Sequence, residues 1–423
     1  MEHSLVLEEL PKGWEIKFFC DICNKISESY QPTTDGDSVY LGLEHLEKGF
    51  PRLIGKGSEN EVKSSKSAFK NGDVLFGKLR PYLRKSVLVD FEGVCSTDIL
   101  VFRNKENAVN EYLKYLVHTD QFIQHAIKTT AGVQHPRTSW ASLKTFKLSL
   151  PPKDEQRKIA LVLSTIQQAI ELQENLINTT QELKKALMQK LFTEGLRGGP
   201  QKETEIGFVP ESWSVAPIEN VAEIKASAMS YTQLANENNQ DNSDLIIHGV
   251  KVSDMNIEGN EIFFNNSNLV RFLDEAKIKR TVPSYSIIFP KRGAAIATNK
   301  KRIAREHTVL DPNLIALIPK NIINYKYLYW WIETFDLRMI TEPGPTPQLN
   351  KKNIAPILMP LPCLSEQIEI SGAIDSVQNK VEISQAKKKL LTELFNTMLH
   401  KLMTAEIRVN ELDLTELEQT LAN

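Results

Sequence analysis

Apolar residues recur at helical spacing over two unusually long stretches of the chain. In the first they stand at Ile159, Val162, Ile166, Ile170, Leu176, Leu183, Leu187 and Leu191. In the second they stand at Ile370, Ile374, Val377, Val381, Leu391, Leu394, Met398 and Leu402. This near seven-residue repeat is the pattern of a seam between helices. Neither stretch contains a proline, up to Phe192 in one and Met403 in the other. Asp154 and Ser365 can cap the N-termini, Glu155 and Glu366 suit the dipole of a first turn, and Gly195 supplies a stop. Polar Gln173 and Ser384 interrupt matched seam positions. The pattern predicts helices over 154–194 and 365–404, and Gln156 to Phe192 alone would span roughly 55 Å. Ile159, Ile166, Leu187, Ile370, Val377 and Met398 are the expected contacts of an antiparallel pair. Two amphipathic helices, each packed on its own domain, are the alternative.

The remaining segments alternate short apolar runs with turns. Asp73–Phe76, Ser86–Val89, Ile99–Phe102, Ser286–Phe289 and Leu314–Ile318 read as strands, and Tyr112–Ala126 and Tyr325–Met339 as helices. These runs belong to an internal repeat. Leu10-Pro-Lys-Gly-Trp14 returns as Val209-Pro-Glu-Ser-Trp213, Leu150-Pro151 as Leu361-Pro362, and Glu155-Gln156 as Glu366-Gln367. Gln156 and Gln367 stand 211 residues apart, as do Lys190 and Lys401, so the helical part repeats without insertion. Trp14 and Trp213 are only 199 apart, so the second copy has gained residues ahead of its helix. The expected fold is α+β: two mixed domains separated by two long antiparallel coiled-coil helices, with a pseudo-two-fold repeat. The expected boundaries are 1–153, 154–194, a polar linker 195–207, then 208–364, 365–404, and an acidic tail 405–423 that is loosely attached or disordered.

A chain of 423 residues exceeds one ordinary core. Residues Met1–Leu10 carry Glu2, Glu8 and Glu9 without a Lys or Arg, unlike a secretory leader, and no apolar run reaches bilayer length. With four cysteines in a chain of this size, the expectation is a cytoplasmic protein without a disulfide framework and without a membrane partner. The formal net charge of −2 argues mildly against nucleic acid, but binding depends on where charges cluster.

Catalytic signatures are weak. Gly72-Asp-Val-Leu-Phe-Gly77-Lys78 approaches a phosphate loop, yet Leu79 stands where Ser or Thr must hold magnesium. Cys20 and Cys23 have ligand spacing but no second pair, so core burial is the better reading and no metal is expected. No flipped-base methyltransferase loop or glycine-rich cofactor fingerprint is found, and acid-x-Lys triplets such as Glu61-Val-Lys63 are too common to mark a nuclease.

Basic residues do cluster, at equivalent places in both copies. Lys78, Arg80, Arg84 and Lys85, with Tyr82 among them, follow the strand ending at Phe76. Lys291, Arg292, Lys300, Lys301, Arg302 and Arg305 follow the strand ending at Phe289. Such clusters suit phosphate contact, and Arg also reads guanine; solvated surface loops are the alternative. A second matched loop pairs Gly132–Arg137 with Gly344–Leu349. Its Gln134, His135, Arg137 and Gln348 are candidates for base edges or, equally, ordinary turn residues.

These residues resemble the specificity subunit of type I restriction-modification systems over nearly the whole chain. The marks are Leu10-Pro-Lys-Gly-Trp14, the stretch Gly72–Lys85, Arg137-Thr-Ser-Trp140, and Leu150-Pro-Pro-Lys-Asp-Glu-Gln-Arg-Lys-Ile159. The second copy departs from them, with Pro290-Lys-Arg-Gly293 in place of Gly-Lys-Leu-Arg-Pro. The resemblance implies two target-recognition domains reading the halves of a bipartite double-stranded DNA site, with the helices as a ruler. It implies docking of two methyltransferase subunits, which bring S-adenosylmethionine, and two restriction/translocase subunits, which use ATP and Mg. This chain would hold no cofactor and carry no catalysis. A two-lobed scaffold binding only proteins is the competing reading; a diverged nuclease would require metal-dependent cleavage by the chain alone.

Overall fold

The computed structural model describes residues 5–239, 245–342 and 347–414. They form two units: residues 1–175 with 385–423, and residues 176–384.

In the first unit, Glu15–Phe18 pairs antiparallel with Lys147–Leu150, just ahead of the first long helix. A four-stranded antiparallel sheet runs in the order Cys23–Ile26, Ile99–Asn104, Val74–Gly77, Ser86–Leu88. Its apolar strand Ile99–Phe102 is buried on both faces, which is why it reads as a continuous hydrophobic run. A second sheet has five strands; in it Val39–Leu41 runs parallel to Gly93–Cys95.

The second unit repeats the frame. Ser214–Pro217 pairs with Leu358–Leu361, and a sheet runs Ala222–Lys225, Leu314–Pro319, Ile287–Pro290, Arg302–Ala304, Phe263–Phe264. Its own addition is a three-stranded sheet of Leu269–Phe272, Ile246–Val250 and His307–Leu310. Within and just after the expected linker, Gln201–Thr204 and Gly207–Pro210 form a hairpin, with Val209 buried.

Lys153–Glu194 and Leu364–Met403 are each one helix. Both are anchored by the repeated Glu-Gln. In the first unit Trp14 Nε1 donates to Glu155 Oε2 at 2.9 Å; in the second Trp213 Nε1 donates to Glu366 Oε2 at 3.0 Å. Gln156 is wholly buried, donating to the Pro151 and Asn107 carbonyls and accepting from Val109 N–H. Gln367 is equally buried and does the same with Pro362, Ile322 and Asn324. Buried amides satisfied on both ends in this way fix where a helix leaves its domain.

Within the first unit, Ile159, Leu163 and Ile170 from the start of one long helix share a core with Phe395, Leu399 and Leu402 from the end of the other. Within the second, Leu191 and Phe192 share a core with Ile370 and Ile374. The covered positions step by alternate fours and threes: Ile159, Leu163, Ile166, Ile170, Gln173, Ile177, Thr180, Lys184, Leu187, Leu191. The second helix covers Ile370, Ile374, Val377, Val381, Ser384, Lys388, Leu391, Phe395, Met398 and Leu402, every one 211 residues on. The six expected contacts, Ile159, Ile166, Leu187, Ile370, Val377 and Met398, all stand on these covered positions, but three leucines of the apolar pattern do not. Leu176, Leu183 and Leu394 are 48%, 58% and 44% exposed, because each stands one residue from a covered position and is turned about 100° away.

Two further expectations change. Tyr112–Ala126 is not one helix but two, Asn110–Leu116 and Asp120–Lys128, because Thr119 Oγ1 accepts from Phe122 N–H and starts a new N-terminus. Likewise Tyr325–Glu333 ends before a separate 3-10 turn, Leu337–Ile340, capped by Asp336. The tail is docked where it is described: Val409 and Leu414 are buried in the first unit's core, and Arg408 forks onto Glu155 at 2.9 and 3.1 Å. Residues 415–423 lie outside the described residues.

Candidate nucleic-acid interface

In the first unit the buried strand Val74–Gly77 delivers Lys78 to the surface. Lys78 N–H donates to Asp98 O at 2.9 Å, and its carbonyl accepts from Thr138 N–H at 3.0 Å. Arg80 N–H then donates to Pro136 O at 2.8 Å. Ala131 and Arg137 exchange both backbone hydrogen bonds, 2.9 and 3.0 Å, closing the loop between them. The basic loop and the second loop, some fifty residues apart in sequence, are thereby sewn together.

The second unit uses the same stitches. Lys291 N–H donates to Asn313 O, Leu349 N–H to Lys291 O, and Gly293 N–H to Pro347 O, at 2.8, 2.9 and 2.9 Å. Arg292 and Glu342 both bridge to Gln348. Lys78 thus corresponds to Lys291, Arg80 to Gly293, and Arg137 to Gln348. The expected pairing of Arg137 with Leu349 is off by one residue, because the 211-residue offset runs through this loop too. Residues 343–346, with the expected Gly344, lie outside the described residues.

The side chains divide into exposed and committed groups. Arg80, Tyr82, Gln134, His135 and Arg137 are exposed, and Val133 at the loop tip is 99% exposed. Arg137 forks onto Asp98 at 2.9 and 3.1 Å, which holds the Asp98 carboxyl below the ordinary carboxylate range and raises the guanidinium. The half-covered Lys78 adds to the depression of Asp98. Asp98 was not identified from the sequence; it is brought to Arg137 from 39 residues away by the strand that starts at Ile99. Arg84 is held by Asp120 and the His118 carbonyl, and Lys85 donates to Leu43 O at 2.6 Å.

In the second unit Arg292 is exposed. Lys291 is half-buried, and burial followed by the neighbouring Arg292 lowers its ammonium. Lys300 donates to Asn256, and Arg305 lies 5.4 Å above the Phe263 ring. Lys301 and Arg302 depart from expectation: they are 0% and 9% exposed. Lys301 donates to Asn299 Oδ1 and Phe335 O, and Arg302 to the carbonyls of Lys301 and Met255. Both lead into the strand Arg302–Ala304, so their charge serves the fold rather than a surface.

Among the described residues, five that are not glycine hold left-handed backbone: Arg80, Arg84, Tyr285, Asn299 and Ala405. Such a conformation costs an L-residue about 1–2 kcal/mol. Arg80, at φ 52°, corresponds to Gly293 at φ 68°. Among the described residues no His, Cys, Asp or Glu group is arranged to hold a metal. Cys23 is buried in the core, where desolvation pushes its thiol up, and Cys20 is half-buried. No helix is long and apolar enough to cross a membrane, again among the described residues.

Two domains that repeat one frame, present one basic loop pair each, and are followed by long helices define a duplicated recognition protein. The chain belongs to the family described as type I restriction modification DNA specificity domain, whose model matches residues 11–182 and 210–393. It is a type I restriction-modification specificity subunit, concerned with recognising DNA sequence, and specificity subunits of these systems are non-catalytic. It is 24% identical over 433 residues to the type I restriction enzyme MjaVIII specificity subunit of Methanocaldococcus jannaschii, covering 96% of this chain and 95% of that one. Its fold is shared with the type I restriction-modification S subunit of M. genitalium at a TM-score of 0.58, with 15% identity over 95% of this chain and 99% of that one. A chain from a structure concerned with complex assembly and conformational transition of the type I R-M system also gives a TM-score of 0.58, with 18% identity over 93% and 98% of the two chains.

Proposed function

We propose that the chain reads a bipartite, asymmetric double-stranded DNA target, one half per domain, through the loop pairs at Lys78–Arg137 and Lys291–Gln348. The observation that carries this reading is the recurrence of one backbone framework with different side chains in the second loop, Arg137 against Gln348. A shared frame fixes how each domain meets DNA, while different side chains demand different base sequences. Lys78, Arg80, Tyr82, Gln134, His135, Arg137, Lys291, Arg292 and Gln348 are the proposed contacts, with Arg84, Lys85 and Lys300 supporting them.

The two long helices form an antiparallel coiled-coil ruler in a pseudo-two-fold arrangement, which the common 211-residue offset of their covered positions supports. Linked readers gain affinity from effective concentration only when the half-sites match the ruler's span. The chain docks two methyltransferase subunits and two restriction/translocase subunits in the cytoplasm; S-adenosylmethionine, ATP and Mg belong to those partners. The fold it shares with a chain from a structure of type I R-M complex assembly supports the docking.

The test is genome-wide mapping of methyladenine in cells expressing the chain with its neighbouring methyltransferase. A bipartite motif with an unspecified gap, lost when the chain is deleted, is the expected result. Unchanged methylation after deletion, with the methyltransferase still active, would replace DNA reading by a protein-only scaffold.

A further inference from the structure

The two copies provide an internal control for backbone strain. At the foot of the second loop the frame requires left-handed backbone, and the second copy meets it with Gly293. The first copy uses Arg80 at the same place, at φ 52° and ψ 61°. The converse substitution occurs eight residues earlier in each copy: Gly72 at φ 85° corresponds to Tyr285 at φ 67°, donating N–H at 2.8 Å to Val89 O and Ala304 O respectively.

The other strained side chains each have an internal use. Tyr285 stacks on Tyr325 with ring centroids 4.6 Å apart. Arg84 is paired with Asp120, Asn299 Oδ1 accepts from Leu337 N–H and Lys301, and Ala405 follows the end of a long helix. The exposed Arg80 guanidinium has no hydrogen bond or ion pair among the described residues. Its backbone is nevertheless pinned on both sides, N–H to Pro136 O at 2.8 Å and carbonyl from Leu83 N–H at 2.9 Å.

We infer that Arg80 is a pre-positioned clamp for a backbone phosphate of the first half-site, a contact for which the second half-site has no counterpart. This rests on the DNA reading proposed above. A phosphate is favoured over a base edge by place: Arg80 sits at the loop's foot beside Lys78, whereas Val133, Gln134 and His135 occupy the tip. Contacts to phosphate set position and charge, and those at the tip reach further. The first half-site is therefore held more tightly and with steeper salt dependence than the second.

The experiment uses the full chain with its methyltransferase, bound to a duplex carrying the mapped target between 50 and 200 mM salt. Arg80→Gly, which copies Gly293, should raise the melting temperature while weakening binding roughly tenfold. The slope of log affinity against log salt should fall by about 0.9, one phosphate's share, with the methylated motif unchanged. Arg80→Gln, neutral but still bearing a side chain, should lose the same slope without the gain in stability. Unchanged affinity and slope in both variants would overturn the clamp, as would a motif relaxed at one base, which would make Arg80 a base reader. In either case the wild-type chain still binds its target, so the DNA reading stands. A wild-type chain that binds no target removes both.

Discussion

At the scale of single residues, buried polar groups decide which segments are rigid. Glu59 is wholly buried beneath the segment 31–38. Its carboxylate accepts from Ser38 N–H, Thr33 N–H and Oγ1, and the Tyr30 hydroxyl, at 3.1–3.2 Å. These hydrogen bonds, Ser38's foremost, pull its pKa down from 4.5 to about 2. A folded pKa below the unfolded one contributes stability above about pH 4.5 that is lost as pH falls towards 2. Hydrogen exchange of 31–38, corrected for intrinsic rate, should therefore accelerate from pH 5 to pH 2, and Glu59→Gln should flatten that profile. Identical profiles in the two proteins would remove Glu59 as the lock. Nothing in the sequence marks Glu59 among neighbouring acids, because its partners come from 21 to 29 residues away. The same limit misplaced Lys301 and Arg302: a run of cations shows charge, but only the strand's facing shows which of them meet water.

At the scale of elements, helical periodicity was legible and its phase was not. Leucines draw the eye at 176, 183 and 394, yet the strict four-three stepping passes through Ile177, Lys184 and Phe395. Two of the seam positions, Lys184 and Lys388, carry long cations that a hydrophobicity pattern skips. In the structure they reach polar partners, Gln378 at 2.7 Å and Glu174 at 2.6 Å. Phe395, 1% exposed, touches the rings of Phe50 and Tyr115 at 5.3 and 6.0 Å. Phe395→Ala should cost about 3–5 kcal/mol in chemical denaturation, and Leu394→Ala less than about 1 kcal/mol. Equal costs would mean that the seam passes through Leu394 instead. The helix expected over Tyr112–Ala126 broke for a different reason: the apolar pattern continues across Thr119, but its hydroxyl caps a new turn.

At the scale of the molecule, duplication explains why so much recurs. The Trp–Glu and Gln anchors are repeated bond for bond in the two units, so each domain launches its helix in the same way. Each long helix is followed by a segment carrying an arginine 211 residues from its counterpart, Arg197 and Arg408. Arg408 takes the anchoring Glu155, whereas Arg197 takes Glu369. The proposed ruler makes a quantitative prediction. Inserting seven residues at the middle of both helices keeps the seam in register and adds about 10 Å. The gap in the methylated motif should then widen by about 3 base pairs, with both half-sites unchanged. A four-residue insertion in one helix alone breaks register and should abolish methylation. An unchanged gap after the paired insertion would show that something other than the helices sets the spacing.

The duplication, the α+β class, the two long helices and the positions of the basic runs were legible in the linear chain. These are written in local pattern and fixed offsets, and a repeat aligns with itself whatever its tertiary surroundings. Which loops meet, which cations remain at the surface and where the backbone is strained came from the folded arrangement. Asp98 reaches Arg137, Pro136 reaches Arg80, and Glu155 reaches Trp14 and Arg408 across long sequence separations. Hydrogen bonds and burial depend on distance in space, and a linear pattern records only distance along the chain.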